Sequence, residues 1–447
     1  MKKFFYIILF FPFFIASCVQ QCPDGDCGDN GTIVPPDSDT YTSNQARSTK
    51  RGICYNGIYA TDFDMLSQGI CWAYNWAASS VGFGSALQAV SREANIVYIP
   101  IWQKGGVPEA AIRNYKNLYP EAEWILALNE PTITNEANMT PEQAAVGWVI
   151  LKSLAQELNM KIAGPTMSYG NKAGWEDPIV WLDAFFAQPG VSLDDISALP
   201  IHCYYTNVSQ VKSFVERFRK YGKPIWMTEF CYDLGQNPSV DMHKGFMSNV
   251  LNYFETDPLI ERYSWFMFDP GNAGWENCAI RLRSNANTGK FTDLGKVYIH
   301  FSSMDKSYHY GHNQVVPAEH YSNCNSSENV GAPDIAASVS LNVSSDTTGI
   351  LEVTSFGVPK WLEYKIEPIT EGNYNFIIRY ASNGDSKMKI MAEGRELGEI
   401  DLPKTGGYTT WATITTSAFP LNAGKQDIRF ATSKGMVSLN WWRYKKQ

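Results

Sequence analysis

A chain of 447 residues with a net charge of −8 and no basic stripe is unsuited to nucleic acid and points to a neutral substrate. The length exceeds one ordinary domain and suits a barrel with a small added module. Aromatic residues are abundant, with 14 Trp and 24 Tyr; some of these rings fill a core, and the others are candidates to line a sugar site, because the axial C–H face of a pyranose packs on a flat ring.

Lys2 and Lys3 precede an almost wholly apolar run from Phe4 to about Ala16, which ends at Ser17-Cys18. A basic start, a short apolar stretch and small residues at its end make a secretory leader, whereas a membrane span would need roughly 20 apolar residues. Ile15-Ala16-Ser17-Cys18 resembles a bacterial lipobox, in which the cysteine is acylated and becomes the mature N-terminus, so Cys18 is the expected lipidation site. Residues 19–50 are polar and rich in Asp, Gly, Pro, Ser and Thr; they cannot bury a core and read as a flexible tether. The chain is thus expected to be exported and held on a membrane by a lipid anchor. The acidic Asp24 to Asp29 stretch after Cys18 points to the outer membrane or cell surface. No protein partner is implied.

Setting Cys18 aside, eight of the nine cysteines remain, an even number in an exported chain where disulfides are permitted. Cys54, Cys71, Cys203 and Cys231 fall on or beside predicted strands, where a thiol commonly acts as a small buried hydrophobe, and Cys22 and Cys27 lie in the tether. Their pairing stays open. No spacing resembles a zinc site, and His309 and His312 sit in a Tyr/Gly/Asn-rich stretch that reads as surface loop.

Between residues 51 and 305, short apolar runs alternate with amphipathic stretches. The predicted strands are Gly52 to Tyr55, Cys71 to Tyr74, Ile96 to Ile101, Trp124 to Leu128, Lys161 to Gly164, Ala198 to Cys203, Pro224 to Thr228 and Arg262 to Phe266. Helices are predicted at Pro141 to Leu158 and Ser209 to Tyr221, among others. This rhythm predicts an α/β fold, a (β/α)8 TIM barrel. An open doubly wound sheet is the competitor, but no Gly-rich phosphate loop follows any strand. Residues 306–334 read as a linker, with Tyr321 to Pro333 its polar core. From 335 to 447 the pattern becomes strict alternation with turns, as in Tyr374 to Tyr380 and Lys387 to Ala392, which predicts an all-β jelly-roll sandwich.

Two of the predicted strands end in a carboxylate. Trp124-Ile125-Leu126-Ala127-Leu128 runs into Asn129-Glu130-Pro131, and Ile225-Trp226-Met227-Thr228 runs into Glu229-Phe230. By count these are strands 4 and 7, so both glutamates fall at the C-terminal rim, where barrel active sites lie. Buried strands rarely end in unpaired charge, and a rim ion pair is the structural alternative for either one alone. Two convergent carboxyls suit glycosidic hydrolysis: one stays protonated to donate to the leaving oxygen, the other ionised to attack the anomeric carbon. His202 and Tyr204, at the end of strand 6, are placed to hydrogen-bond the nucleophile or a hydroxyl, with a satisfied core histidine as the alternative for His202. Trp265, near the end of strand 8, is expected to floor the cleavage subsite. Trp76, Trp102 and Trp226 also lie near rim ends, where packing is the competing role. Asn56 and Asn75 are further candidates for sugar contacts.

At these residues the chain resembles the clan A glycoside hydrolases, and within them glycoside hydrolase family 128. The resemblance rests on Arg51 to Asn56, Cys71 to Trp76, Leu128-Asn129-Glu130-Pro131, Gly222 to Phe230 and Arg262 to Phe266, which span nearly all of the first domain in order. It implies a retaining β-1,3-glucanase, most readily endo-acting, with Glu130 as acid/base, Glu229 as nucleophile and Asn129 contacting the sugar 2-hydroxyl. Another clan A β-glycanase (β-1,4 or mixed-linkage) and a non-catalytic surface glycan-binding lipoprotein are the alternatives. The C-terminal segment resembles a carbohydrate-binding module of family 6, through Trp361-Leu362-Glu363-Tyr364, Gly372-Asn373-Tyr374, Ile378 to Ser382, Leu402 to Tyr408 and Leu439 to Trp442. That resemblance implies glycan contacts at Trp411 and Asn440. The loop from Ser355 to Lys360 departs from the family pattern, in which a Tyr and acidic residues are common there. The resemblance allows a structural calcium there; no catalytic metal or other cofactor is expected.

Overall fold

The computed structural model describes residues 48–78, 90–269, 275–282, 289–301, 308–325 and 339–447. The expected leader, its Cys18 and nearly all of the tether lie outside the described residues. No helix among the described residues is long and apolar enough to cross a membrane.

The first domain is built on β1 (Arg51–Cys54), β2 (Trp72–Tyr74), β3 (Val97–Tyr98), β4 (Ile101–Trp102), β5 (Trp124–Ala127), β6 (Lys161–Ala163), β7 (Leu199–Tyr205), β8 (Ile225–Tyr232) and β9 (Ile260–Trp265). Residues 99 and 100 interrupt one barrel strand into β3 and β4, at the proline that cannot donate to a ladder. Every pairing among them is parallel, in the orders β3-β2-β1-β9-β8-β7 and β4-β5-β6. Parallel bridges Ala163 to Ala198 and Met167 to Ile201 join β6 to β7, so the sheet closes into a barrel of eight strand positions. Both faces of each strand are covered, which is why the strands read as continuous apolar runs rather than alternating ones. Trp72, Tyr74, Ile101, Leu126 and Trp226 fill the interior. Gly52 has no side chain because the Trp72 indole occupies that space; an added Cβ would lie 2.3 Å from the ring.

Helices Glu109–Leu118, Pro141–Glu157, Pro178–Phe186, Val208–Phe218, Val240–Thr256 and Asp293–His300 pack outside the strands. Pro141–Glu157 starts at a capping box, in which Thr140 accepts from Gln143 N and Gln143 reaches back to the Thr140 amide.

The second domain is a β-sandwich, antiparallel except where β10 runs parallel to β15. Its strands are β10 (Tyr310–Gly311), β11 (Val316–Pro317), β12 (Asn323–Cys324), β13 (Ser340–Val343), β14 (Leu351–Gly357), β15 (Trp361–Glu367), β16 (Gly372–Ser382), β17 (Ser386–Ala392), β18 (Arg395–Leu402), β19 (Gly407–Leu421), β20 (Gln426–Lys434) and β21 (Met436–Lys446). One sheet runs β10-β15-β20-β17-β18, with β12 also on β15; the other runs β13-β14-β21-β16-β19, with β11 on β21. The stretch expected to be a linker therefore differs from its reading: β10, β11 and β12 belong to the sandwich. Their polar composition hid this, because each contributes only two residues and is ordered by its partner strand. His312 is likewise engaged, accepting a hydrogen bond from Lys446 N at 2.9 Å. The sandwich meets the barrel at helix Val240–Thr256, where the buried Lys244 ammonium donates to Asn342 Oδ1 at 3.1 Å.

Candidate active site

Glu130 and Glu229 come together at the C-terminal rim of the barrel. Strict alternation along β8 would put Glu229 on the face opposite Trp226. The register of β8 against β9 shifts between Met227 and Phe230, and that of β7 against β8 shifts at His202. Such an irregularity re-aims side chains. Phe230 faces outward against Trp265, with ring centroids 5.2 Å apart, and Glu229 turns into the cleft. After β5 the backbone is held at φ 51° for Leu128 and 52° for Glu130, a left-handed conformation that non-glycine residues adopt at a cost of order 1–3 kcal/mol. Glu130 N donates to Thr166 O at 3.0 Å and Ile133 N to Glu130 O at 3.0 Å, which fixes the turn.

Three donors converge on Glu229. Trp76 Nε1 donates to Oε1 at 2.7 Å, Tyr74 Oη to the same oxygen at 3.2 Å, and Tyr204 Oη to Oε2 at 2.5 Å. Glu130 has a different environment. Its Oε1 lies 2.8 Å from His202 Nδ1, and the same nitrogen is 3.5 Å from Glu229 Oε2. These two carboxyl oxygens are therefore no further apart than the two contacts laid end to end, about 6.3 Å. An inverting pair leaves roughly 6.5–9.5 Å for a water, and a retaining pair about 5–5.5 Å. This bound on the nearest oxygens puts both carboxyls within reach of one glycosidic bond.

Burial would raise Glu130, but the charge and hydrogen bond of His202 outweigh it and hold this carboxyl below the ordinary range. Burial pushes Glu229 above that range, reinforced by repulsion from Glu130 and opposed by His202, Tyr204 and Trp76. Burial disfavours charge on His202, yet the carboxylates of Glu229 and Glu130 win and raise its pKa. Two acids and an imidazole in mutual contact titrate as one cluster. In the free protein the charge therefore favours Glu130, with the proton held on His202 and Glu229. Glu229 faces three donors that an anion satisfies, whereas Glu130 faces His202, whose ring nitrogen can give or take the proton.

The cleft has a volume of about 780 Å³. Of the residues singled out from the sequence, Asn56, Asn75, Trp76, Asn129, Glu130, Tyr204 and Glu229 line it, and His202 lies buried behind the two glutamates. Three tryptophans do not. Trp265 points out of the barrel, its Nε1 donating to Cys278 O at 2.8 Å and its ring packed on His243 and Phe246. Trp226 plugs the barrel interior between Trp72 and Trp124, with Nε1 on Glu261 at 2.6 Å. Trp102 is buried against Gly147, where an added Cβ would sit 2.5 Å from the indole. The expectation that Trp265 floors the subsite fails by one residue: Phe266 follows it and faces inward. Phe266 packs edge-on against Trp76 at 6.1 Å and Trp275 at 5.3 Å, forming an aromatic wall over Glu229. Gln103, Glu136 and Asp233 also line the cleft and were missed, as was Tyr74, whose hydroxyl donates to Glu229. Alternation from Trp265 could have found Phe266; the loop residues carry no such signal.

In the sandwich, Asn440 is buried, and its amide donates to Asp346 Oδ2 at 2.9 Å and Ser344 Oγ at 3.2 Å. Its structural position is the anchor of the β13–β14 loop, not an open sugar contact. Asp346 is in turn gripped by the Arg379 guanidinium at 2.7 Å, so the network is closed. Trp411 is partly exposed, and its Nε1 donates to Ser345 Oγ at 3.0 Å. Among the described residues no group of three or more His, Cys, Asp or Glu is placed to hold a metal ion. Cys54, Cys203, Cys231 and Cys278 are buried free thiols.

A closed parallel barrel whose C-terminal rim brings two carboxyls together in an aromatic, hydroxyl-rich cleft is the framework of a glycoside hydrolase. The match of residues 52–298 to the model described as glycosyl hydrolase catalytic core agrees, and the chain belongs to that family. Residues 332–444 match the model of carbohydrate binding module (family 35), which joins the family 6 resemblance seen in the motifs. A crystal structure of a GH128 (subgroup II) endo-beta-1,3-glucanase from Pseudomonas viridiflava is 29% identical, with a TM-score of 0.50, and the match covers 57% of this chain and 98% of that one. Alkali-sensitive linkage protein 1 of Schizosaccharomyces pombe is 25% identical over 264 residues, 56% of this chain and 44% of the relative. The clotting factor G alpha subunit of Tachypleus tridentatus is 28% identical over 115 residues, 25% of this chain and 17% of the relative. The chain thus spans less than half the length of these curated relatives.

Proposed function

We propose that this hydrolase cleaves β-1,3-glucan with retention of configuration, by double displacement. The observation that carries the reaction type is the pair Glu130 and Glu229, linked through His202 Nδ1 at 2.8 and 3.5 Å. The substrate rests on the similarity to the GH128 endo-beta-1,3-glucanase and on a cleft lined by aromatic rings and uncharged amides beside the acids. Glu229 attacks the anomeric carbon while Glu130 gives its proton to the departing glycosidic oxygen, leaving a glycosyl ester on Glu229. Glu130 then takes a proton from water, which attacks the same carbon and releases Glu229. Tyr74, Tyr204 and Trp76 donate to Glu229, favouring its anion and aiming it, and the proton taken from water restores Glu130 for the next cycle.

Release of reducing ends from laminarin tests the substrate, with Glu229→Gln as the control. Activity in the parent and its loss in the variant is the expected result; near-parental activity in the variant would overturn the mechanism. Binding of laminarin without cleavage by the parent would instead favour a glycan-capturing role. The chain is further proposed to be exported and acylated at Cys18, on the strength of Lys2, Lys3, the apolar run and the lipobox-like tetrapeptide. Partition into the detergent phase that Cys18→Ala abolishes is the expected outcome.

A further inference from the structure

Asn129 is 4% exposed and lines the cleft beside Glu130. Its side-chain Nδ2 donates to Glu136 Oε2 at 3.1 Å. Its Oδ1 is buried without a hydrogen-bond partner. A carboxylate can only accept, so Glu136 dictates which end of the amide is nitrogen and which is oxygen. Buried acceptors are nearly always satisfied, and an unsatisfied one at the wall of a cleft calls for a donor from the ligand. The loop that carries Glu136 is tied back to the same rim. Ala137 N donates to Asn129 O at 3.0 Å, Glu136 N to Ile133 O at 3.2 Å, and Met139 N to Pro131 O at 3.1 Å.

We infer that Glu136 is a positioning residue that locks the Asn129 amide, leaving Oδ1 to accept a hydrogen bond from a hydroxyl of the bound sugar. The inference rests on the reading of the cleft as a β-glucanase site. Without Glu136 the amide is free to turn over, presenting a donor where the substrate also presents one, and sugar orientation beside Glu130 is lost. Glutamine at this position offers Asn129 a donor as readily as an acceptor and so only loosens the lock, whereas alanine removes it.

The test is a double-mutant cycle on laminarin hydrolysis with the full chain. A parent without activity refutes the glucanase reading and this inference with it. With an active parent, Glu136→Ala is expected to lower kcat/KM by about tenfold or more at an unchanged thermal midpoint. Glu136→Gln keeps the size of the side chain but can donate as well as accept, so it should fall between parent and alanine, about three- to tenfold down, a loss that a packing role would not give. In an Asn129→Ala background, Glu136→Ala should cost at most about twofold further, because the two residues act through one contact. Equal losses in both backgrounds, or parental activity in Glu136→Ala, would overturn the positioning role while leaving the glucanase reading intact.

Discussion

Tyr204→Phe isolates one of the hydrogen bonds that define the nucleophile. The hydroxyl donates to Glu229 Oε2 at 2.5 Å, while the ring packs edge-on against Phe266 at 5.7 Å, and phenylalanine preserves that packing. Only the donor is lost; Tyr74 and Trp76 still serve Oε1. A hydrogen bond to a charged group contributes roughly 1.5–3 kcal/mol. If that stabilisation is needed to keep the attacking carboxylate ionised and aimed, kcat/KM falls about 10- to 150-fold, at roughly 1.4 kcal/mol per decade. The pH profile supplies a second, signed readout. Glu229 already sits above the ordinary carboxylate range through burial, and Tyr204 opposes that rise. Removing the donor disfavours the ionised form further, so the acidic limb of the profile must move to higher pH. Reducing-end assays on laminarin across pH 4 to 8, with parent and variant side by side, measure both effects. A loss under about threefold, or an acidic limb displaced to lower pH, would refute the role assigned to Tyr204 and the ionised state assigned to Glu229.

Glu130→Gln should lower turnover by about 10²- to 10⁴-fold, the usual contribution of a general acid, with little change in thermal midpoint; a smaller drop on laminarin would remove Glu130 from that role. Trp265→Ala and Trp275→Ala should separate packing from binding. The first empties a buried site and costs about 3–5 kcal/mol of stability in urea unfolding; the second leaves stability unchanged and raises KM. His243 is buried with no hydrogen-bond partner on either ring nitrogen, and burial lowers its pKa to about 4. The unfolded chain takes up a proton near pH 6.5 that the folded one refuses, so stability is present above that pH and lost as pH falls toward 4. His243 should contribute about 2 kcal/mol to the fall in unfolding free energy between pH 7 and pH 5, and His243→Phe should reduce the fall by that amount.

Much of this was written along the chain. Runs such as Trp124 to Ala127 and Ile225 to Thr228 are apolar throughout because parallel strands are covered on both faces, and they stop at a carboxylate because a barrel meets solvent only at its rims. That pattern fixed the barrel, the two glutamates and the neighbouring Asn129, His202 and Tyr204. The change to strict alternation after residue 335 marked the sandwich in the same way, since each of its sheets has one inner face. Other features depended on three-dimensional placement. Whether a rim tryptophan faces the cleft turns on strand parity and on irregularities in register, so Trp265 packs on the helices while Phe266 and Trp275 form the wall. Two-residue strands such as β11 have no pattern of their own and exist only on a partner. Asn440 looks like any polar residue near a strand end until Asp346 and Ser344, far back in the chain, close around its amide. The sequence by itself determined which residues could do chemistry and which strands would carry them, because composition and period are local. Only the tertiary structure decided which way each side chain points and what meets it, because those depend on register and on neighbours distant in the chain.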